Sequence, residues 1–481
     1  MELAADLLED ESNLAGGWAV EAGRPATLEE AADYLADLAE RGLSATPSGG
    51  LTGIAAGAVP QGGAVVSTGL MKEIDYRGDG LLWAGAGVAL EEISQYLSAR
   101  RLNLFYPPDP TETTATVGGT LATDASGSDS FLYGSTRRWV ESVEIVLPGG
   151  IPLNLHRGRL FFDGDGVCRV PGAGEVHIPQ LRRLPLAKNA AGYWVRPGMD
   201  LVDLLIGSEG TLGLFTGALL RLKERPHALV DLAVFVRSMA EFWELLEASL
   251  DLRVRVRALE MMDAPCLELL RANPPKELPE LPEGTRAVLL LRAEAGDEEE
   301  LDLLLEELDH LLSEAGVPPK ATWGGFEESE HRRILLLRHS LPETVNEQVA
   351  QAGRRVTGIH KLGSDAAVEV SRARELYERT REILNGMELP HLVFGHVGQG
   401  HLHANVIPSS RRELEEGERA MRLIASAAAD MGGTVSAEHG LGRLKSDYLE
   451  LMLSPEELAG MRAVRRSIDP RGLLCPAITW A

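Results

Sequence analysis

The sequence predicts a mixed α+β protein built of several domains, and three observations predict it. A chain of 481 residues is longer than one hydrophobic core usually organises. Its 51 glycines, with 44% apolar and 25% charged residues, describe a turn-rich globular protein and not a helical bundle. Between Pro47 and Gly213, three glycine-rich segments each sit beside an apolar strand or helix.

Taken in order, Thr27-Leu28-Glu29-Glu30 is a capping box, and Leu28, Ala31, Leu35 and Leu38 extend it at helical spacing to an end near Gly42. The first glycine segment follows, Pro47-Ser48-Gly49-Gly50-Leu51-Thr52-Gly53 and on to Gly57. Such a loop lets backbone N–H groups converge on an anion. It carries neither Gly-Lys-Ser/Thr nor GxGxxG, so a tight structural turn explains it equally well when it is taken alone. Residues 64–68 and 81–88 read as strands and 90–100 as an amphipathic helix. The second segment holds Pro107-Pro108-Asp109-Pro110, then Thr116, Gly118, Gly119 and Thr123, then Gly127, and it ends at Tyr133-Gly134. The third is Gly207-Ser208-Glu209-Gly210-Thr211-Leu212-Gly213, after a helix-like run over 199–205. Three such segments look like the walls of a long cleft for an extended, phosphate-bearing cofactor, because glycine permits close backbone approach.

Past Lys223 the glycine loops stop, and acidic helices such as 301–312 and a Pro-rich stretch over 273–282 take over. Then comes Phe394-Gly395-His396-Val397-Gly398-Gln399-Gly400-His401-Leu402-His403-Ala404-Asn405, answered by Ser436-Ala437-Glu438-His439-Gly440. Each histidine alone reads as a polar loop residue. As a group they suggest a metal centre, since imidazole and carboxylate are ordinary ligands for zinc, manganese or iron(II). If His396 and His403 point one way and Glu438 joins them, His439 is left free as a base.

The formal net charge of −25 argues against nucleic acid and anionic membrane surfaces as partners. Cys168, Cys266 and Cys475 lie far apart with no CxxC spacing, which excludes a disulfide framework and an iron–sulfur cage. No run of about twenty apolar residues occurs, and the first ten residues are acidic where a signal peptide is basic. A cytoplasmic location is expected, or a peripheral one at the membrane through a partner.

The Pro-Ser-Gly-Gly-Leu-Thr-Gly loop, the Pro-Pro-Asp-Pro and Thr-Val-Gly-Gly segment, the Gly-Ser-Glu-Gly-Thr-Leu-Gly stretch and the terminal Glu-His-Gly-Leu-Gly-Arg-Leu-Lys resemble, in this order, FAD-linked oxidoreductases of the vanillyl-alcohol oxidase (PCMH) type. Within them the chain is similar to the D-2-hydroxyacid dehydrogenases, which include D-lactate and D-2-hydroxyglutarate dehydrogenases and the glycolate oxidase flavoprotein subunit. The resemblance spans residues 47–476. It implies a PCMH-type FAD-binding domain of two α+β subdomains over 1–224 and a substrate or cap domain with an antiparallel sheet over 225–430. A helical C-terminal segment, 431–481, would return to the flavin.

By the same resemblance, the first segment holds the FAD pyrophosphate, and the second and third line the isoalloxazine and ribityl parts. No histidine lies near the first segment, so the FAD is expected to be dissociable. His396, His403 and Glu438 match the family's His-x6-His and downstream Glu as ligands of one divalent ion, zinc, manganese or iron. His439 is then the base, and Arg338 and Lys361 are the cations for the substrate carboxylate. A surface ion pair explains Arg338 as well, and His360 competes with Lys361. Trp194 and Trp323 read as core residues before site walls. The implied reaction oxidises a D-2-hydroxyacid to the 2-oxoacid with hydride transfer to flavin N5. Without a Rossmann fingerprint or cluster cysteines, the acceptor is expected to be a quinone, a cytochrome, an electron-transfer flavoprotein or a separate iron–sulfur subunit.

Three departures stand out. Gly398-Gln399-Gly400-His401 replaces the family's Gly-Asp-Gly-Asn, the first loop lacks Arg-Gly-Gly-Gly, and Cys475 replaces an asparagine. Two other readings remain. One is a redox-neutral transferase resembling alkyl-dihydroxyacetonephosphate synthase, which the segment 122–127 resembles but which has no use for the metal pair. The other is a non-catalytic FAD electron-transfer subunit, which would lack the cap domain and the Glu-His pair.

Overall fold

Thr27 caps the first long helix, Leu28–Glu40, by accepting from Glu30 N, as the capping box predicts. That helix sets Ala31, Leu35 and Leu38 against Ala45, Ala64 and Val66 of a three-stranded parallel sheet ordered Glu21–Gly23, Ala64–Ser67, Ala45–Ser48. The computed structural model describes residues 5–181, 184, 186–325 and 328–481. A second sheet follows, five-stranded and antiparallel, in the order Ile74–Gly78, Leu81–Gly85, Leu214–Arg221, Val140–Leu147, Ile151–His156. The helix after Leu81–Gly85 is Leu90–Ala99, and it buries Leu90, Ile93 and Leu97.

The segment expected to form the cap holds an eight-stranded antiparallel sheet. Seven of its strands run in the order Thr322–Gly325, Ala228–Val236, Ala287–Ala295, Arg255–Asp263, His391–Gly395, His401–Val406, Leu362–Gly363, and Ala366–Ala367 also pairs with His401–Val406. Both faces are covered, so its long strands read as nearly unbroken apolar runs. Val230, Leu232 and Val234 pack toward the helices Met239–Leu250, Glu298–Glu314, Ala373–Gly386 and Arg411–Asp430. Ala233 and Phe235 point the other way, toward Ala264–Ala272 and Glu328–Arg355, as strand alternation requires.

Chain beyond the cap helices packs back on the first two sheets. Val435, Leu441, Met461 and Trp480 share a core with Leu82, Ile145 and Leu204. Ala45 N donates to Leu473 O and Cys475 N to Ala45 O, so the tail joins the parallel sheet. Arg465 secures it by donating to the carbonyls of Leu474 and Ile478. Among the described residues no helix is long and apolar enough to cross a membrane.

Candidate active site

The three glycine-rich segments meet on one cavity of ≈ 460 Å³. Its wall takes Pro47, Ser48, Gly49, Gly50, Leu51, Thr52 and Gly53 from the first, Thr116, Gly118, Gly119, Thr123 and Gly127 from the second, and Glu209 and Gly210 from the third. Thr116 joins the first two, because its Oγ1 accepts from Gly50 N at 3.2 Å and caps Val117–Thr123 through Gly119 N. Two glycines differ in use. A Cβ on Gly127 would stand 1.5 Å from the Asp109 carbonyl oxygen, so this glycine permits loop-on-loop packing. A Cβ on Gly53 would meet nothing within 4 Å, and that open cradle on the cavity wall fits an extended cofactor.

Six residues expected at the cofactor stand outside the cavity wall: Pro108, Asp109, Tyr133, Gly207, Thr211 and Leu212. Pro110, Thr111 and Glu112 line it beside them. Tyr133 donates to Glu294 and packs edge-on against Phe105 and Trp139. Gly207 N donates to Leu121 O, Thr211 Oγ1 to Ser208 O at 2.6 Å, and Leu212 is wholly buried. Glu209, in the left-handed region at φ 53°, accepts from Leu441 N at 2.9 Å and Gly442 N at 2.6 Å. It thereby ties the third segment to the Glu-His-Gly-Leu-Gly run. Burial pushes its carboxyl up to about 7, with those two N–H groups acting against the shift. Burial also pushes the Cys475 thiol up to about 12, so it stays protonated beside the Glu209 carbonyl.

Lys361, Glu438 and His439 line the same cavity. Behind them the strand His391–Gly395 turns through Val397–Gln399 into the antiparallel strand His401–Val406, with Phe394 opposite His403. A Cβ on Gly400, at φ +67°, would stand 2.0 Å from the Val368 carbonyl oxygen, so this turn needs glycine. The result brings His396, His401, His403 and Glu438 together with one ligand atom of each within 4.8 Å of the others. Glu438 Oε1 lies 3.1 Å from His396 Nε2 and 3.5 Å from His403 Nε2.

The outward nitrogens explain that orientation. His396 Nδ1 donates to Glu260 Oε1, and His403 Nδ1 faces the Ser364 carbonyl at 3.3 Å. Both Nε2 atoms therefore face the same Glu438 oxygen; burial works to lower the His396 imidazole, but Glu260 and Glu438 raise it, and a divalent ion would take the place of its Nε2 proton. Bonds of roughly 2.1 Å to one ion put neighbouring ligands roughly 3.0–3.4 Å apart, close to the spacing seen. The donor set fits a divalent cation. Glu438 Oε2 is held apart by Lys188 Nζ at 2.8 Å and Ser126 Oγ at 3.0 Å. Burial alone would raise the Glu438 carboxyl, but Lys188 and His396 hold it well below the usual carboxylate range. Burial pushes His403 down to about 4, which leaves it the neutral imidazole a ligand must be.

His439 stacks on His403 with centroids 5.3 Å apart, and its Nδ1 lies 3.4 Å from Asp365 Oδ1. Burial pushes it down to about 4 against the pull of Asp365, so at neutral pH it is unprotonated. Arg338 sits on the helix Glu328–Arg355 but not at the surface. It is 7% exposed, its Nε donates to Glu260 Oε2 at 2.6 Å, and its Nη1 is buried without a hydrogen-bond partner. Lys361 has no carboxylate partner among the described residues, and burial together with Arg338 lowers its ammonium. His360 turns away to the Gly358 carbonyl at 3.1 Å. Trp323 packs on Phe235, and Trp194 stacks under Arg196, so neither walls the cavity.

Sequence reasoning missed Glu260, Asp365, Lys188 and Ser126. The signal for Glu260 was present, a lone acid inside the apolar strand run Leu259-Glu260-Met261-Met262.

The C-terminal domain of FAD linked oxidases matches residues 225–478, and an FAD binding domain matches 23–155. A D-2-hydroxyglutarate dehydrogenase of Bos taurus mitochondria is 32% identical over 94% of this chain and 75% of its own. A D-lactate dehydrogenase of Anaerostipes hadrus is 28% identical over 99% and 92%, and the glycolate oxidase subunit GlcD of Bacillus subtilis 27% over 95% and 88%. Among solved structures, a 4-ethylphenol oxidase from Gulosibacter chungangensis superposes with a TM-score of 0.69 at 15% identity, covering 98% of this chain and 91% of its own. An alkyldihydroxyacetonephosphate synthase gives 0.65 at 16%, covering 95% and 76%. At such identities these two likenesses show the fold alone. The chain belongs to the FAD-linked oxidases, as an FAD-dependent oxidoreductase of the family that holds the D-lactate, glycolate and D-2-hydroxyglutarate enzymes.

Proposed function

We propose that the protein oxidises a D-2-hydroxyacid of the lactate or glycolate kind to its 2-oxoacid and passes the electrons to an acceptor other than NAD. The observation that carries this reading is the convergence of His396 Nε2 and His403 Nε2 on Glu438 Oε1, beside the cavity that the glycine segments line. Bound FAD supplies the two-electron acceptor, and a divalent ion supplies Lewis acidity that lowers the pKa of a coordinated hydroxyl. His396, His403 and Glu438 would hold the ion, while Glu260 and the Ser364 carbonyl fix the outward nitrogens of both imidazoles. Lys188 and Ser126 occupy Glu438 Oε2 and leave Oε1 as its single ligand atom. Arg338 and Lys361 take the substrate carboxylate, Arg338 through its unpaired Nη1.

His439 accepts the hydroxyl proton at Nε2, the nitrogen turned from Asp365, and the Asp365 carboxylate stabilises the imidazolium as it forms. The D-configuration and the acid class draw support from relatives named D-lactate dehydrogenase and D-2-hydroxyglutarate dehydrogenase. Glu438→Gln tests the reading. The variant is expected to keep its FAD, to lose about one divalent ion per chain and to lose substrate-driven flavin bleaching. A metal-free variant that bleaches at the wild-type rate would overturn the assignment.

A further inference from the structure

We propose that His401 is a fourth protein ligand, which makes the centre a three-histidine, one-glutamate site. The proposal rests on the ligand reading of His396, His403 and Glu438 and extends it to a residue that stands where the resembling family has asparagine. His401 and His403 are two apart in the strand His401–Val406, so their side chains leave the same face. Their ring centroids are 4.3 Å apart, and one ring nitrogen of His401 falls within 4.8 Å of the ligand atoms of His396, His403 and Glu438.

Tautomer logic identifies the free nitrogen. The His401 ring is 0% exposed, and its Nε2 lies 2.9 Å from Asp365 Oδ1. Asp365 also accepts from Ser436 Oγ at 2.6 Å and His439 N at 2.9 Å, bonds that suit an ionised carboxylate. A carboxylate accepts, so the hydrogen of His401 is on Nε2 and the lone pair on Nδ1. That Nδ1 is buried and has no hydrogen-bond partner, a state that buried polar atoms rarely keep without a reason.

The same pattern runs through all three rings. His396 gives Nδ1–H to Glu260, His403 to the Ser364 carbonyl, and His401 gives Nε2–H to Asp365. Each outward N–H is held by a protein acceptor, as support of a metal ligand requires; of the remaining nitrogens, Nε2 of His396 and of His403 face Glu438 Oε1, and Nδ1 of His401 has no partner. Four protein donors would close a tetrahedral ion to a chelating 2-hydroxyacid. The set therefore favours a six-coordinate ion of the manganese, iron or cobalt class.

Stripping the flavin-loaded protein of metal, refilling it with Co(II) and recording its paramagnetic proton spectrum tests this. Every ligating imidazole contributes one solvent-exchangeable, hyperfine-shifted N–H signal. Wild type is expected to show three, and His401→Asn two, with about one cobalt per chain kept in both. Two signals in the wild type would overturn the proposal and leave the other three ligands standing. Three signals in the variant would also overturn it. Failure of the wild type to bind cobalt would instead overturn the ligand reading beneath it. If the variant does not fold, the wild-type count decides alone.

Discussion

Glu260 shows how much one buried carboxylate arranges. Its two oxygens take His396 Nδ1 and Arg338 Nε, so a single side chain from one strand aims both the proposed metal ligand and the proposed anion-binding cation. Replacing it by glutamine removes the charge that fixes the His396 tautomer, and metal affinity is expected to fall about 10–100-fold in a chelator competition. Unchanged affinity would show that His396 is oriented by something else. His439→Ala is expected to slow flavin reduction by about a hundredfold or more in anaerobic rapid mixing, with FAD content unaltered. At this scale the sequence made the convergence of His396, His403, Glu438 and His439 legible, because they fall in two short runs. The groups that aim them were not legible. Glu260 is 136 residues from His396, Lys188 250 and Ser126 312 from Glu438, and only folding makes them neighbours.

Elements carry the next set of constraints. The glycine segments serve two needs that look alike in sequence, room for a cofactor and room for another loop. Gly127→Ala drives a methyl group into the Asp109 carbonyl, and such overpacking typically costs about 1–3 kcal/mol, to be read as a lower melting temperature. Gly53→Ala meets open space, so it is expected to leave the melting temperature of the FAD-free protein unchanged and to weaken FAD binding in a titration. Equal FAD affinity would remove Gly53 from the cofactor's path. The same ambiguity covers Tyr133, Thr211 and Leu212, which share the motifs while Tyr133 bonds to Glu294, Thr211 to Ser208, and Leu212 packs in the core. Helix ends were more legible, since the Thr27 cap announces Leu28–Glu40 through local hydrogen bonding alone. The strand order of the cap was not, because pairings such as Met261 with Gly395 join distant segments.

Over the whole molecule, Glu209 links the first two sheets' side of the cavity to the returning C-terminal run. Its folded pKa of about 7 exceeds the ordinary 4.5, so the fold holds a proton that the unfolded chain releases between those values. This contribution is present at low pH and is lost as pH rises through about 7. Between about pH 5 and about pH 8, wild type is expected to lose more stability than Glu209→Gln in urea unfolding. Parallel pH profiles would contradict the assignment.

The mixed architecture with its antiparallel cap was legible through ordered motifs, whereas the acid's side chain was not, because no short run of residues encodes it. Electron transfer from a 2-hydroxyacid to the flavin is read by mixing the oxidised protein anaerobically with D-lactate, glycolate, D-2-hydroxyglutarate and longer D-2-hydroxyacids while following flavin absorbance. At least one of them is predicted to bleach the flavin stoichiometrically. A flavin that none of them bleaches would rule out a 2-hydroxyacid as the electron donor.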